Sequence, residues 1–377
     1  MEIYMKVVIA IDSFKGSMTS MEAGNAAKKG ILAAKPDAEV WLSPLADGGE
    51  GTVDALIEGL GAKKIPVTVT GPLGEKVSCY YGFLEETKSA VMEMASAAGI
   101  TLVTKKDPLR ASTYGVGEMI ADALKRGCKN FMIGIGGSAT NDGGIGMLKA
   151  LGFEFFDEDG NDVGEGAAAL AKIEVIRTEN KNPLLSGAKF QIACDVKNPL
   201  CGKQGATYIF GSQKGVTEEQ KDQIDEAMRH YADVTKESLD CDFADCEGAG
   251  AAGGLGYAFL SYLAGELIPG VELILQATGL EEKMKNADVV VTGEGRLDAQ
   301  TVMGKAPAGV AALAKKYNAK VIAFAGSVAS EAKVCNRAGI DAFFPIVRGV
   351  TTLEEAMKKE NAMENIAATA EQVFRLL

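Results

Sequence analysis

Apolar runs of strand length alternate with helical segments at both ends of the chain, and this alternation is the tightest constraint on its fold. Near the N-terminus, the buried-strand pattern Lys6–Ile11 precedes a helical spacing of apolar positions over Ser20–Ala34, and Glu39–Leu42 is strand-like again. Toward the C-terminus the order is strand 288–292, helix 306–317 with Pro307 near its first turn, strand 320–325, helix 330–338 and strand 342–345. A closing helical pair follows, opened by the capping-box pattern Thr352-Leu-Glu-Glu355. Strands linked through helices imply a parallel sheet covered on both faces.

The middle of the chain reads differently. Residues 65–70 and 77–83 alternate around Gly71-Pro-Leu-Gly74, which predicts a hairpin. Further strands are expected at 89–93, 131–135, 152–156, 173–176 and 190–194, with a helix over 114–126. At 377 residues the chain exceeds what one core usually supports. The expected organisation is a parallel α/β domain formed by both chain ends, residues 1–63 and 286–377, with a mixed α/β domain, 64–285, inserted into it.

Charge and composition narrow the function. A net charge of -12 argues against a nucleic-acid partner, which needs clustered Lys and Arg. No apolar run is long enough to span a bilayer, and Lys6–Ile11 stops at Asp12, too short for a signal peptide. A cytoplasmic protein without a membrane partner is expected; a homo-oligomer is left open. The 7 Cys show no zinc spacing and read as isolated buried thiols. The single His, His230, falls in a charged helical stretch opened by the capping-box pattern Thr217-x-x-Gln220. A Ser-His-Asp triad is therefore excluded, and acid–base work falls to Asp, Glu, Lys, Tyr or Cys.

Four glycine-rich turns carry most of the chemistry: 45–52, 134–144, 248–256 and 292–301, each seeded with carboxylates or hydroxyls or both except the third. Glycine clusters suit sharp turns or close approach to a ligand, and loops with free N–H groups and nearby Asp suit an anion held with a metal ion. In an open parallel sheet, ligands bind beyond the carboxyl ends of the strands. Asp12, Ser13 and Lys15 follow the first strand; Asp47 follows the second; Gly293, Glu294, Arg296 and Asp298 follow the strand at 288–292. These groups are expected along one edge. The middle region adds Gly137, Ser138, Asn141 and Asp142 after one strand, Asp195 after another, and Gly253 and Gly254 in the third turn.

Two stretches match the letters of a dinucleotide fingerprint. The one beginning at Gly134 is interrupted by Thr-Asn-Asp-Gly-Gly before a helix begins, and the one at Gly248 follows no strand. An NAD(P)-dependent dehydrogenase of a small hydroxy acid is thus the weaker enzymatic alternative, and a two-lobed anion-binding protein the non-enzymatic one. No GxxxxGK[ST] occurs, which excludes a P-loop enzyme. Phosphoryl transfer needs a positioned nucleophile, neutralised phosphate oxygens and usually Mg²⁺, and carboxylates with Lys15, Arg296 or Lys305 and glycine amides supply such a set.

At these loops the sequence resembles the bacterial-type glycerate kinases, a family distinct from the P-loop plant enzymes. The matching stretches are 12–17, 44–52, 134–144, 193–200, 248–256 and 292–301 with Gly304-Lys305, in family order over nearly the whole chain; Ser212 departs from an expected Pro. The resemblance implies a flavodoxin-like, Rossmann-like domain with an inserted mixed domain, and Mg²⁺-dependent transfer from ATP to D-glycerate, with 2-phosphoglycerate favoured. Residue chemistry then suggests Asp195 or Asp298 to orient or deprotonate the acceptor hydroxyl. Lys15 is expected to stabilise the transferring phosphoryl group or hold the glycerate carboxylate. Asp47 is a candidate Mg²⁺ ligand. Ser13, Gly137, Ser138, Asn141, Asp142, Gly253, Gly254, Gly293, Glu294 and Arg296 are candidate substrate or phosphate contacts.

Overall fold

A computed structural model describes residues 4–46 and 51–377; the Asp47 candidate lies outside the described residues. The chain separates into two compact units. One contains the described residues through 46, with 54–61 and 271–377; the other contains 51–53 and 62–270.

In the first unit, five strands form one sheet in the order Ala342–Pro345, Lys320–Val328, Val289–Leu297, Lys6–Ile11, Glu39–Pro44. Every neighbouring pair is parallel. Taken in chain order from the other edge, this is 2-1-3-4-5, the flavodoxin-like arrangement, in which strand order reverses between the first strand and the third. The expected flavodoxin-like sheet built from both chain ends is therefore present. Val7, Ile9 and Ile11 are fully buried and share a core with Val291 and Phe324. Helix Ser20–Ala34 starts at Thr19, whose side chain accepts from the Glu22 amide while the Glu22 carboxylate accepts from the Thr19 amide. This satisfies amide groups that a helix start leaves without partners. Its Ala23, Ala27 and Ile31 face Ile366, Ala370 and Phe374 of the final helix, Lys359–Phe374.

The second unit has a six-stranded mixed sheet, ordered Glu266–Ile268, Lys189–Ala193, Asn130–Gly134, Ser89–Glu93, Lys76–Leu84, Lys63–Thr70. Its first four strands pair in parallel, and the last two form the expected antiparallel hairpin. The short strands Glu154–Phe156 and Val175–Arg177 make a separate two-stranded sheet. Phe131 and Phe190 lie opposite each other on neighbouring strands and stack at 4.7 Å between ring centroids, a cross-strand pairing of the kind that fixes register. No helix among the described residues is long and apolar enough to cross a membrane.

One element differs in kind from its expectation. The glycine-rich stretch after Thr292 is not a turn: the strand continues from Val289 to Leu297, alongside an equally extended Lys320–Val328. Gly293 pairs with Phe324, Glu294 with Ala325 and Arg296 with Ser327. A Cβ on Gly293 would sit 2.1 Å from the Phe324 carbonyl oxygen, and one on Gly326 would sit 2.6 Å from that of Gly295. Glycine is used here for close backbone approach within a sheet. Gly293→Ala is expected to lower stability by about 1–3 kcal/mol, the usual cost of overpacking a tight site. A urea unfolding curve with a lower midpoint and an unchanged slope would show it.

Candidate active site

The reversal of strand order in the first unit leaves a crevice beyond the carboxyl ends of Lys6–Ile11 and Val289–Leu297. A cavity of about 750 Å³ lies in this unit, lined on its polar side by Ser13, Lys15, Glu294, Arg296, Asp298 and Lys305. Five of the expected site residues thus meet in one pocket although two come from the first strand's loop and three from residues 294–298.

Local hydrogen bonds fix the loop after the first strand. The Asp12 amide donates to the Gly293 carbonyl at 2.9 Å, and the Asp12 carboxylate accepts from the Ser13 amide at 2.7 Å. The Ser17 and Met18 amides both donate to the Phe14 carbonyl, which closes a tight turn. Behind it, the buried Ser20 hydroxyl donates to the Ile11 carbonyl at 2.7 Å and accepts from the Leu45 amide at 2.9 Å. Lys15 is exposed at the tip of this turn.

The opposing segment is held by two acids. Glu294 is buried, accepts from the Thr301 hydroxyl at 2.6 Å and lies 3.6 Å from the Lys305 ammonium. Burial pushes its carboxyl upward, against the Thr301 hydrogen bond and the Lys305 charge. Asp298 caps the short turn Ala299–Val302 by accepting from the Gln300 amide at 2.9 Å, and its other oxygen lies 3.5 Å from Arg296 Nε. Gly293 is buried within the strand and does not line the pocket.

The other expected residues belong to the second unit. Asp195 stands exposed just beyond Lys189–Ala193 and accepts from the Gly270 amide at 2.9 Å. Gly137 is exposed, whereas Ser138, Asn141 and Asp142 are buried. Asp142 accepts from the Thr113 amide and hydroxyl, both at 2.8 Å, and from the Gly144 and Gly146 amides. It therefore closes its own loop. The Asn141 amide nitrogen donates to the Thr207 hydroxyl at 3.0 Å. Gly253 and Gly254 have left-handed backbones, φ 68° and 92°. A Cβ on Gly253 would sit 2.2 Å from the Thr140 carbonyl oxygen, and the Gly143 amide donates to the Gly253 carbonyl at 2.9 Å. The two glycine-rich loops of this unit interlock backbone to backbone.

Lys214, in Gln213-Lys-Gly215, is a residue that the sequence pattern does not single out. Lys214 is 2% exposed, and its ammonium donates to the Thr140 carbonyl at 2.7 Å, inside the same pair of loops. Burial pulls Lys214 down to about 7, partly offset by Asp142; burial likewise pushes Asp142 up, against its four donors. The apolar side of the pocket in the first unit was also missed. Its signal was present in the sequence as Leu353 and Met357 in a short segment otherwise rich in polar residues.

A switch-point pocket that sets cations against carboxylates, in a chain with no P-loop, fits an α/β phosphoryl-transfer enzyme that does not use a Walker loop. The chain belongs to the glycerate kinase family, whose family model matches residues 7–377. It is 45% identical over 371 residues to the glycerate kinase of Bacillus subtilis (strain 168), covering 98% of this chain and 97% of that one. It is 45% identical over 372 residues to the glycerate 2-kinase of Escherichia coli (strain K12), covering 97% and 98%. A crystal structure assigned as glycerate kinase 2 from Salmonella typhimurium LT2 superposes with a TM-score of 0.91 at 43% identity, covering 99% of this chain and 98% of that chain. The dehydrogenase alternative finds no support in these relatives. Nor does it in the fold: after the strand Asn130–Gly134 the next helix begins only at Ile145, and the stretch from Gly248 runs into left-handed residues.

The buried lysine makes a testable difference to stability. Between about 7 and its ordinary 10.5, Lys214 holds its proton in the unfolded chain but not in the native one. Stability should then rise with pH across this window, by up to about 1.4 kcal/mol per pH unit from this group. Lys214→Met should remove that rise. Urea unfolding followed by circular dichroism between about pH 7 and about pH 9.5 will check it, the wild type gaining on the variant as pH increases.

Proposed function

We propose that the protein transfers the γ-phosphoryl group of ATP to D-glycerate as its Mg²⁺ complex, forming phosphoglycerate and ADP. The observation that carries this reading is the convergence of Lys15, Arg296 and Lys305 with Asp298 and Glu294 in the switch-point pocket of a glycerate kinase family member. We also read the two compact units as the two domains of the enzyme.

Phosphoryl transfer asks the protein to position the acceptor and neutralise phosphate charge. Lys15, exposed at the tip of its turn, stabilises charge on the transferring group or holds the glycerate carboxylate. Arg296 orients Asp298 and adds positive charge beside it. The hydroxyl oxygen of glycerate attacks the γ-phosphorus in line, the bond to the bridging oxygen of ADP breaks, and the hydroxyl proton passes to Asp298 or Asp195. Ser13 and Glu294 line the same pocket, and the loop amides at Gly137 and beside Ser138 are offered to phosphate or carboxylate oxygens.

Among the described residues no three His, Cys, Asp or Glu side chains converge as a metal cage. Mg²⁺ bound through one or two carboxylates, with phosphates and water completing its shell, needs none. Asp12, Glu294 and Asp298 supply hard oxygen donors of that kind in the pocket, and Asp47 is a further candidate. The ion neutralises charge on the nucleotide phosphates when bound.

A coupled ADP-release assay with D-glycerate, ATP and Mg²⁺ tests the reaction. Asp298→Asn and Asp195→Asn, made separately, should identify the proton acceptor by a loss of kcat of about 10²–10⁴ in one of them. Near-normal turnover in both would rule out the proton-handling role. The name of the Escherichia coli relative favours the 2-hydroxyl as acceptor. Phosphorus-coupled NMR of the product should therefore place the phosphate on C2, and coupling to the C3 methylene protons would place it on C3 instead.

A further inference from the structure

We infer that the nucleoside half of the phosphoryl donor lies against the apolar side of the switch-point pocket, on a wall formed by the short helix Leu353–Met357 with Phe14 and Ile346. This rests on the kinase reading above and assigns the apolar part of the pocket to the nucleotide rather than to glycerate.

The pocket has a mixed lining: the cations Lys15, Arg296 and Lys305, and the apolar side chains of Phe14, Ile346, Leu353 and Met357. Arg296 and Lys305 lie beside Asp298 and Glu294, while among the described residues Lys15 meets no acidic partner. Lys15 is also exposed, so a phosphate chain can reach it. Glycerate carries an oxygen on every carbon and offers nothing to an apolar wall. A nucleotide matches both kinds of lining, with an anionic chain for the cations and a flat, largely apolar base for the apolar side chains. A volume of about 750 Å³ also suits a ligand of that size better than glycerate.

The surface around the pocket points the same way. Two of the large hydrophobic side chains exposed among the described residues, Leu353 and Met357, line this cavity. Leu353 is 76% exposed. Apolar side chains clustered at a pocket rim mark a binding surface, whereas scattered ones do not. The helix Leu353–Met357 has no buried residue and is tied mainly through its ends. Thr352 caps the Glu355 amide, and Asn361 donates to the Glu355 carbonyl. A second cavity of about 260 Å³ borders the same segment, lined by Val347, Val350, Glu355 and Asn365 among others. With space on both sides, this helix is free to settle on a planar ligand, and its side chains can change without disturbing the core.

The test uses the full-length protein, with mant-ADP and Mg²⁺ as the binding probe and steady-state kinetics alongside. The double variant Leu353→Ser/Met357→Ser should weaken mant-ADP binding and raise the KM for ATP by on the order of ten-fold, as expected for losing two apolar contacts. The KM for D-glycerate should stay unchanged. Leu184→Asp, at an exposed position in the second unit, should retain wild-type affinity. A raised KM for D-glycerate with unchanged mant-ADP affinity would overturn the inference. So would a changed oligomeric state on gel filtration with nucleotide binding intact, which would give the wall to a second copy of the chain. Weakened mant-ADP binding in a protein that releases no ADP with D-glycerate would support the nucleotide site and sink the acceptor assignment instead.

Discussion

The parallel pairing of Val7, Val8 and Ile9 with Val289, Val290 and Val291 is the constraint on which the first unit depends. It joins strands from opposite ends of the sequence, and the Lys6 amide reaches across to the Asp288 carboxylate at 2.7 Å. Closing so long a loop costs more entropy than a local contact, although the cost grows only slowly with length. Burial offsets it: Val8, Ile9, Val290 and Val291 are all fully buried. Because the chain leaves the sheet on one side of this pair and re-enters on the other, strand order reverses here. The reversal opens the crevice in which Lys15 faces the 294–298 segment.

Glycine does several different things in this molecule. In the 293–295 stretch it lets two parallel strands lie close enough to extend past the point where the sheet was expected to end, so that Glu294 and Arg296 are presented from a strand. A side chain on a strand next to a paired neighbour is held more firmly than one on a free turn, which suits residues that must oppose phosphate charge. In the second unit, glycines at 143 and 253 let two loops lock together, and Asp142 and Lys214 sit buried in the lock. The expectation that glycine-rich turns approach a ligand therefore divides: some of these glycines make room for backbone.

Polarity in the pocket is similarly divided. Ion pairs at Glu294–Lys305 and Arg296–Asp298 engage both acids of the 294–298 segment, while Lys15 is exposed and has no acidic partner among the described residues. Within the apolar wall Ile346 belongs to the core, whereas Leu353 and Met357 are exposed on a helix with no buried residue, so core packing does not explain those two. A fold that places a rigid, charged sheet edge opposite a loosely held apolar helix can bind one ligand by two kinds of interaction at once.

Much of this was legible in the sequence. Helical spacing placed Ser20–Ala34, and short apolar runs placed Ser89–Glu93 and Ala342–Pro345, nearly to the residue, because both signals are local properties of the chain. Alternating strands and helices implied the parallel sheet, and the absence of a second histidine removed whole mechanisms. The Gly293–Leu297 strand extension was not legible, since glycine in a turn and glycine in a close strand pair have the same letters and only the position of Phe324 distinguishes them. Lys214 was equally silent: a lysine's burial depends on what packs around it, and its neighbours Thr140 and Asp142 come from a distant segment. By itself the sequence determined which segments become strands and helices and which chemical groups the chain possesses, because those are properties of local spacing and composition. Only the tertiary structure decided which groups share a pocket, which carboxylates are already engaged and which cation is left to a ligand, because those are relations between residues far apart in the chain that exist only once the sheet has closed.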